Sequence, residues 1–251
     1  MYFVDCEHPP GTVVIVSNEL SRYSDFSISL VRLKAPVGTI MYWQKGVEIV
    51  KGINHGIRNM QGEWVWILGD DHTFHGEVLL HLLNTQKDII VPLCAKRDFP
   101  HYPVTYPKDT GTMYLQAPWS HIKYGGMMEV DGNGSAGMLI RKPVLDAIGD
   151  PWFEAGKMDG EHISEDLYFC RKAREKGFKV HVDTRQAIGH ITPATIIPVV
   201  LEGNLVPVAV LNGDERMMLR MDQGLTTRKN VEEKPDERPV SDAPVPDAGS
   251  A

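Results

Sequence analysis

The chain has 251 residues, 42% hydrophobic and 24% charged, with a formal net charge of -7, enough apolar material for a sizeable core in one large or two small domains. The acidic balance argues against a duplex-binding protein that neutralises many phosphates, and no apolar run approaches the ~20 residues that span a bilayer. Without a basic-then-apolar leader, and with three scattered cysteines that lack Cys-x-x-Cys spacing, the expectation is a cytosolic protein with reduced, mostly buried thiols, neither a disulfide framework nor a thiolate zinc site.

Thr12 to Val16 is a continuous β-branched run, as expected of a strand buried on both faces. A polar stretch from Ser17 to Asp25 follows, and Ser27 to Leu33 reads as a second strand before the turn Pro36-Val37-Gly38. After Gly46, the residues Ile49, Ile53, Ile57 and Met60 form the stripe of an amphipathic helix that Gln61-Gly62 closes. The chain then enters Glu63-Trp64-Val65-Trp66-Ile67-Leu68-Gly69-Asp70-Asp71-His72, an apolar strand running into two carboxylates and an imidazole. Adjacent carboxylates desolvated at a strand's carboxyl end repel one another unless a cation or proton intervenes, so the pattern asks for a divalent metal. Val78, Leu79, Leu82 and Leu83 have helical spacing, and Asp88 to Leu93 is another apolar strand. The alternation of strand and helix predicts an α/β fold with a mostly parallel sheet flanked by helices and a ligand crevice at the strands' carboxyl ends.

From Arg97 to Met128 the periodicity dissolves. A loop this long is expected to cover a site, with Tyr102, Tyr106, Tyr114, Trp119 and Tyr124 either meeting substrate or anchoring the loop. Gly137 to Ile140 reads as a strand and Pro143 as a helix start. Ser164 is placed to cap a helix carrying Leu167, Cys170 and Ala173, which Gly177 stops before a strand over Lys179 to Val182. Gly132-Asn133-Gly134-Ser135-Ala136-Gly137 matches the dinucleotide fingerprint letter for letter, but it leads into a strand rather than a helix, so that reading is rejected. From Arg228 onward there are ten charged residues, four prolines and no aromatic. The expected layout is one domain over residues 1–227 and a disordered tail over 228–251.

Taken in order, these segments resemble a family-2-type glycosyltransferase of the GT-A fold, over roughly residues 12 to 191. Asn54, Gly62 and the Trp64 to Leu68 strand stand where that family leads into its Asp-x-Asp metal motif. In this alignment Asp71 falls on the second Asp and Gly69 on the first. Gly134-Ser135-Ala136-Gly137-Met138-Leu139-Ile140-Arg141 resembles the segment lining the donor-sugar pocket. Ser164-Glu165-Asp166-Leu167 resembles the Glu-Asp motif, and Gly189-His190 the late His.

The resemblance implies transfer of a sugar from a nucleoside-diphosphate sugar, UDP-sugar favoured, to an acceptor hydroxyl on a protein, glycan, small molecule or modified nucleobase. Asp71 and His190 would hold the metal, with His72 an alternative through an Asp70-x-His72 pair. Manganese suits the imidazole better than magnesium does, with magnesium tolerated, and the cation would neutralise the departing diphosphate. Ser17, Asn54, Asp70, Gly134, Ser135, Ala136 and Gly137 are the implied donor-binding residues. Asp166 is the candidate general base, Glu165 the second, and in-line attack would invert the anomeric centre. Alternatives are a sugar-nucleotide-binding protein without turnover, suggested by Gly69, and a metallohydrolase using Asp70, Asp71 and histidines, including a zinc site of His72, His75 and His190. A bacterial or viral-host cytoplasm is the setting expected by analogy.

Overall fold

The computed structural model describes residues 1–17, 24–97 and 101–192, and the strand backbones at 194–201, 204–211 and 218–220. The chain divides into two compact units, Met1–Pro193 and Ala194–Ala251. The predicted domain limit at 227 and the tail 228–251 lie outside the described residues.

The first unit is built on a sheet of β1 (Thr12–Ser17), β2 (Ile40–Lys45), β3 (Trp64–Gly69), β4 (His72–Phe74), β5 (Ile89–Leu93), β6 (Met127–Val130), β7 (Leu139–Arg141) and β8 (Val180–His190). Its order is β6-β8-β5-β7-β3-β1-β2, with β4 pairing on β8. Strands β1, β2, β3, β5 and β8 share one direction, while β4, β6 and β7 run against them, so the sheet is mixed, with three parallel and four antiparallel neighbour pairs where a mostly parallel sheet was expected. Helices α1 (Ser24–Arg32) and α3 (Val78–Asn84) cover one face; α2 (Ile49–Arg58), α4 (Lys142–Ile148) and α5 (Glu165–Glu175) cover the other.

Two layers form because successive strand side chains alternate between faces. Trp64, Trp66 and Leu68 enter the α1/α3 core, while Val65 and Ile67 enter the α2/α4/α5 core. Both indoles are buried with their N–H satisfied, Trp64 donating to the Pro9 carbonyl and Trp66 to that of Gly137. On α2, a Cβ at Gly56 would lie 2.4 Å from Val14 Cγ1 and one at Gly52 2.8 Å from Val16 Cγ1. Glycine at both positions lets the helix lie directly on β1.

One predicted element needed revision, and one strand was not foreseen. Ser27 to Leu33 is helical, not a strand: Phe26, Ile28 and Leu30 alternate in sequence, but Phe26, Ser29, Leu30 and Leu33 are buried, the 3–4 spacing of a helix face. The half-buried strand β2 carried no periodic signal, because its burial does not alternate.

The segment after Arg97 is pinned rather than loose. Thr105–Tyr106 pairs with Gly132–Asn133, and Lys108–Asp109 with Tyr114–Leu115. Asp109, its side chain 7% exposed, receives Arg171 at 2.9 Å and Arg174 at 2.5 Å from α5, and the Gly111 amide at 2.8 Å. Along β8 the register on β5 shifts between Asp183 and Ala187, a bulge, before the strand continues to pair with β4.

In the second unit, β9 (Ala194–Leu201), β10 (Asn204–Leu211) and β11 (Met218–Arg220) form an antiparallel meander.

Candidate active site

The carboxyl ends of β1, β3 and β5 open on one side of the sheet, where α/β proteins place their ligands. They deliver Ser17, Asp70 with Asp71, and Cys94. The turn after β3 reverses the chain into β4, which pairs antiparallel with the end of β8 so that His72 and His190 are direct register partners. Their rings stand 4.8 Å apart, centroid to centroid. A β-carbon at Gly189 would meet Thr73 Oγ1 at 2.4 Å, so the neighbour of His190 must be small for the strands to close.

Asp71 sits between these imidazoles. His190 Nε2 is 3.2 Å from Asp71 Oδ2, His72 Nδ1 is 3.4 Å from Oδ1, and Arg97 reaches Oδ2 at 3.4 Å. Burial works to raise the Asp71 pKa, but the His190 hydrogen bond and the neighbouring imidazoles and Arg97 outweigh it and hold the carboxyl at about 2. Burial would lower the His190 pKa; Asp71, the Cys94 thiol and the Ala95 carbonyl instead raise it to about 10. Burial disfavours the Cys94 thiolate, yet the same two imidazoles bring its pKa down to about 7.

The opposite wall comes from α5 and the segment before β7. Ser164 stands at the N-cap position of α5 without a side-chain capping bond; its hydroxyl instead donates to the Asp166 carboxylate, as does the Leu167 amide at 2.8 Å. Burial raises the Asp166 pKa against these bonds, leaving a more basic carboxylate than usual. Gly134 lies beside it: a β-carbon there would come 3.0 Å from Val104 Cβ and 3.5 Å from Asp166 Oδ2.

Asp70, Asp71, His72, Arg97, Asp166 and His190 line a single cavity of about 320 Å³, together with Cys94 and the stretch Gly134 to Ala136. Ser17 reaches it indirectly, its hydroxyl donating to Asp70. Gly137 lies just behind, at φ 70°, against Pro92. Glu165 and Asn54 do not line the cavity. Asn54 is buried, and its amide bonds both backbone groups of Phe153, at 2.6 and 3.0 Å. Glu165 stands near Asp166 and Glu48, its pKa raised by burial and by both carboxylates. The five loop aromatics also lie off the described lining; Tyr114 donates to the Leu167 carbonyl and Trp119 to that of His101. Cys94 and Arg97 belong to the cavity although the sequence reading passed over them. The position of Cys94, directly after the apolar run Ile89 to Leu93, was the available signal.

The donor set fits a divalent cation. A carboxylate, two imidazoles and a thiol converge, and the buried His72 Nε2 has no hydrogen-bond partner. At Gly69, a β-carbon would lie 2.7 Å from Asp71 Oδ1 and 2.9 Å from His72 Cε1. The space that an aspartate would need at that position is occupied by Asp71 and His72.

The profile of the family described as Glycosyltransferase like family 2 matches residues 3–202. No curated protein matches the chain. Among solved structures, GalNAc-T7 with UDP, GalNAc and Mn2+ is 11% identical, covering 76% of this chain and 44% of that one, with a TM-score of 0.52. The A197 protein from STIV is 14% identical over 83% of this chain and 93% of that one, TM-score 0.43. S. aureus TarS 1-349 is 14% identical over 72% of this chain and 60% of that one, TM-score 0.43. The chain thus spans less than half of the GalNAc-T7 chain, the one of these whose TM-score exceeds 0.5; that likeness bears on the fold alone.

Proposed function

Because this chain belongs to glycosyltransferase-like family 2 and has a GT-A-type sheet, we propose that it moves a sugar from a nucleoside-diphosphate donor to an acceptor hydroxyl with inversion at the anomeric carbon. One observation carries the reading: Asp71 and His190 share a single cavity with Asp166. Asp71 and His190, with His72 alongside, would hold a divalent cation, manganese or magnesium, which when bound neutralises charge developing on the leaving diphosphate. Asp70, steadied by Ser17, and the small residues Gly134, Ser135 and Ala136 shape the donor side. Asp166 accepts the proton of the attacking hydroxyl; its raised pKa suits a base that must hold that proton during transfer. Attack in line from the face opposite the diphosphate inverts the sugar carbon.

UDP is the favoured donor nucleotide on the family resemblance; GalNAc-T7, alike in fold, was solved with UDP. The three free cysteines support a reducing compartment such as the cytoplasm. No helix among the described residues is long and apolar enough to cross a membrane.

The test is a panel of UDP-sugars with manganese, scored for release of UDP and for transfer to glycan, peptide, nucleobase and small-molecule hydroxyls. Asp166→Asn should abolish transfer while nucleotide binding persists. Nucleotide binding with neither transfer nor donor hydrolysis in the wild type would leave a binding protein. A failure of every nucleoside diphosphate to bind would remove the proposal. The thiol and imidazoles beside Asp71 would then favour a metallohydrolase, recognised by hydrolysis of a substrate that is not a nucleotide.

A further inference from the structure

The donor reading uses Asp71 and His190 with His72 alongside, and leaves the buried Cys94 of the same cavity without a task. Cys94 is 2% exposed and His72 is 6% exposed. Together with His190 they place ligand atoms within 4.8 Å of one another. The His72 ring is fixed from its other side, Nδ1 lying 3.1 Å from both the amide and the carbonyl of Gly69, while its buried Nε2 is unpartnered. A buried imidazole nitrogen without a hydrogen bond is costly, and a bound ion removes that cost. His190 is likewise oriented from its far nitrogen, Nδ1 3.0 Å from the Ala95 carbonyl, the support expected behind a ligating histidine.

We infer that Cys94, His72 and His190, with the Asp71 carboxylate beside them, form a binding site for a thiophilic divalent cation of the zinc type. A thiolate and two imidazoles are the borderline-soft set that zinc and cobalt prefer, and magnesium does not take thiolate. Binding displaces to solvent the Cys94 thiol proton and the Nε2 proton that His190 donates to Asp71, and forms the metal–sulfur and metal–nitrogen bonds without change of oxidation state. The inference deepens the donor reading by naming the class of cation. It rests on that reading only for what the cation does in transfer, and binding is measured without any donor present. His190 belongs to both sites, so a cation on Cys94 excludes a separate manganese on His190.

The experiment uses full-length, metal-stripped protein carrying Cys6→Ser, which removes the exposed thiol. It is titrated with cobalt(II) and read by absorption. Expected are a near-ultraviolet thiolate-to-cobalt band and the visible bands of four-coordinate cobalt, both displaced by one equivalent of zinc. Adding Cys94→Ser should erase the ultraviolet band and weaken cobalt binding by at least the roughly 10- to 100-fold that loss of an outer-shell partner costs. Asp166→Asn should leave the spectrum unchanged. An absent thiolate band in protein shown to be folded overturns the inference on the Cys6→Ser protein alone, whether or not the Cys94 variant folds. A band that survives Cys94→Ser overturns it too, by assigning the sulfur to Cys170. If the band behaves as expected while no nucleoside diphosphate binds, the donor reading fails and the metal site stands.

Discussion

Asp109 and Asp71 are both carboxylates set among cations, and both have lowered pKa values, yet they do different work. Around Asp109 every contact closes inward: two guanidinium groups from α5 and the Gly111 amide consume its oxygens, fastening the segment after Arg97 to the helix that carries Asp166. Asp71 instead faces a cavity; its partners are two imidazoles and Arg97, and one imidazole keeps a nitrogen without a hydrogen bond. Each cluster leaves one buried nitrogen without a hydrogen bond, Arg174 Nε beside Asp109 and His72 Nε2 beside Asp71. The difference is where they stand: the first is packed between the segment and α5 as a fastening, the second lines a cavity that something can enter.

The largest effect that would sharpen this contrast belongs to the chemistry between them. Asp166→Asn should lower the transfer rate by about 10²- to 10⁴-fold with nucleotide affinity unchanged, as expected on losing a general base; a smaller loss would demote Asp166 to a positioning role. Asp109→Ala should behave oppositely, removing about 3 kcal/mol of unfolding free energy by taking the carboxylate from Arg171 and leaving Arg174 only Asp131 at 3.6 Å and the Tyr114 hydroxyl, with activity per folded molecule retained. Urea denaturation and transfer assays on the same preparation separate the two.

Asp71→Asn comes next. In the wild type, nucleotide plus metal at about 100-fold above the dissociation constant should stabilise by about 2.7 kcal/mol, on the order of 5 to 10 °C in Tm. In the variant that metal-dependent increment should vanish. The pH dependence of stability follows from Asp109. Its folded pKa lies below the ordinary carboxylate value: burial works to raise it, but the Gly111 amide and the two arginines outweigh burial. Its contribution is therefore complete above about pH 4 and lost as pH falls through the folded value. Urea midpoints from pH 6 downward should fall more steeply in the wild type than in Asp109→Ala. The smallest effect on stability should come from Gly69→Ala: the added carbon meets Asp71 and His72 at 2.7 and 2.9 Å, so cobalt or manganese binding weakens while the melting temperature moves little. A large loss of stability with metal affinity intact would break the comparison, because the turn would then be a fastening as well.

Much of the architecture was legible because burial leaves periodicity behind. Strands β1, β3 and β5 are apolar without interruption, and α2 and α3 carry stripes at helical spacing. Helix α1 was not legible: Ile28 and Val31 are exposed apolar residues, and Ser29 is a buried polar one whose hydroxyl donates to Asp25, so the pattern misreports the face. The direction of β7 was equally hidden, since an apolar run between two strands reads the same either way. At the site, Asp71 and Asp166 were visible as residues, but their meeting in one cavity is a tertiary fact. Cys94 was overlooked because a thiol at a strand end looks like core until its two histidines come in, one of them 96 residues later in the chain.

The bulge in β8 gives His190 its address. Asp183 still stands opposite Pro92, whereas Ala187 stands opposite Leu93, so the residues between them make up slack before the strand reaches β4. Losing one residue from that slack would either return it unnoticed or pass it down the strand, bringing Ile191 opposite His72 and His190 opposite Thr73, and turning the imidazole to the other face. A deletion passed down the strand would therefore separate an intact fold from its chemistry, whereas an exchange at Gln186 leaves the count, and so the place of His190, unchanged.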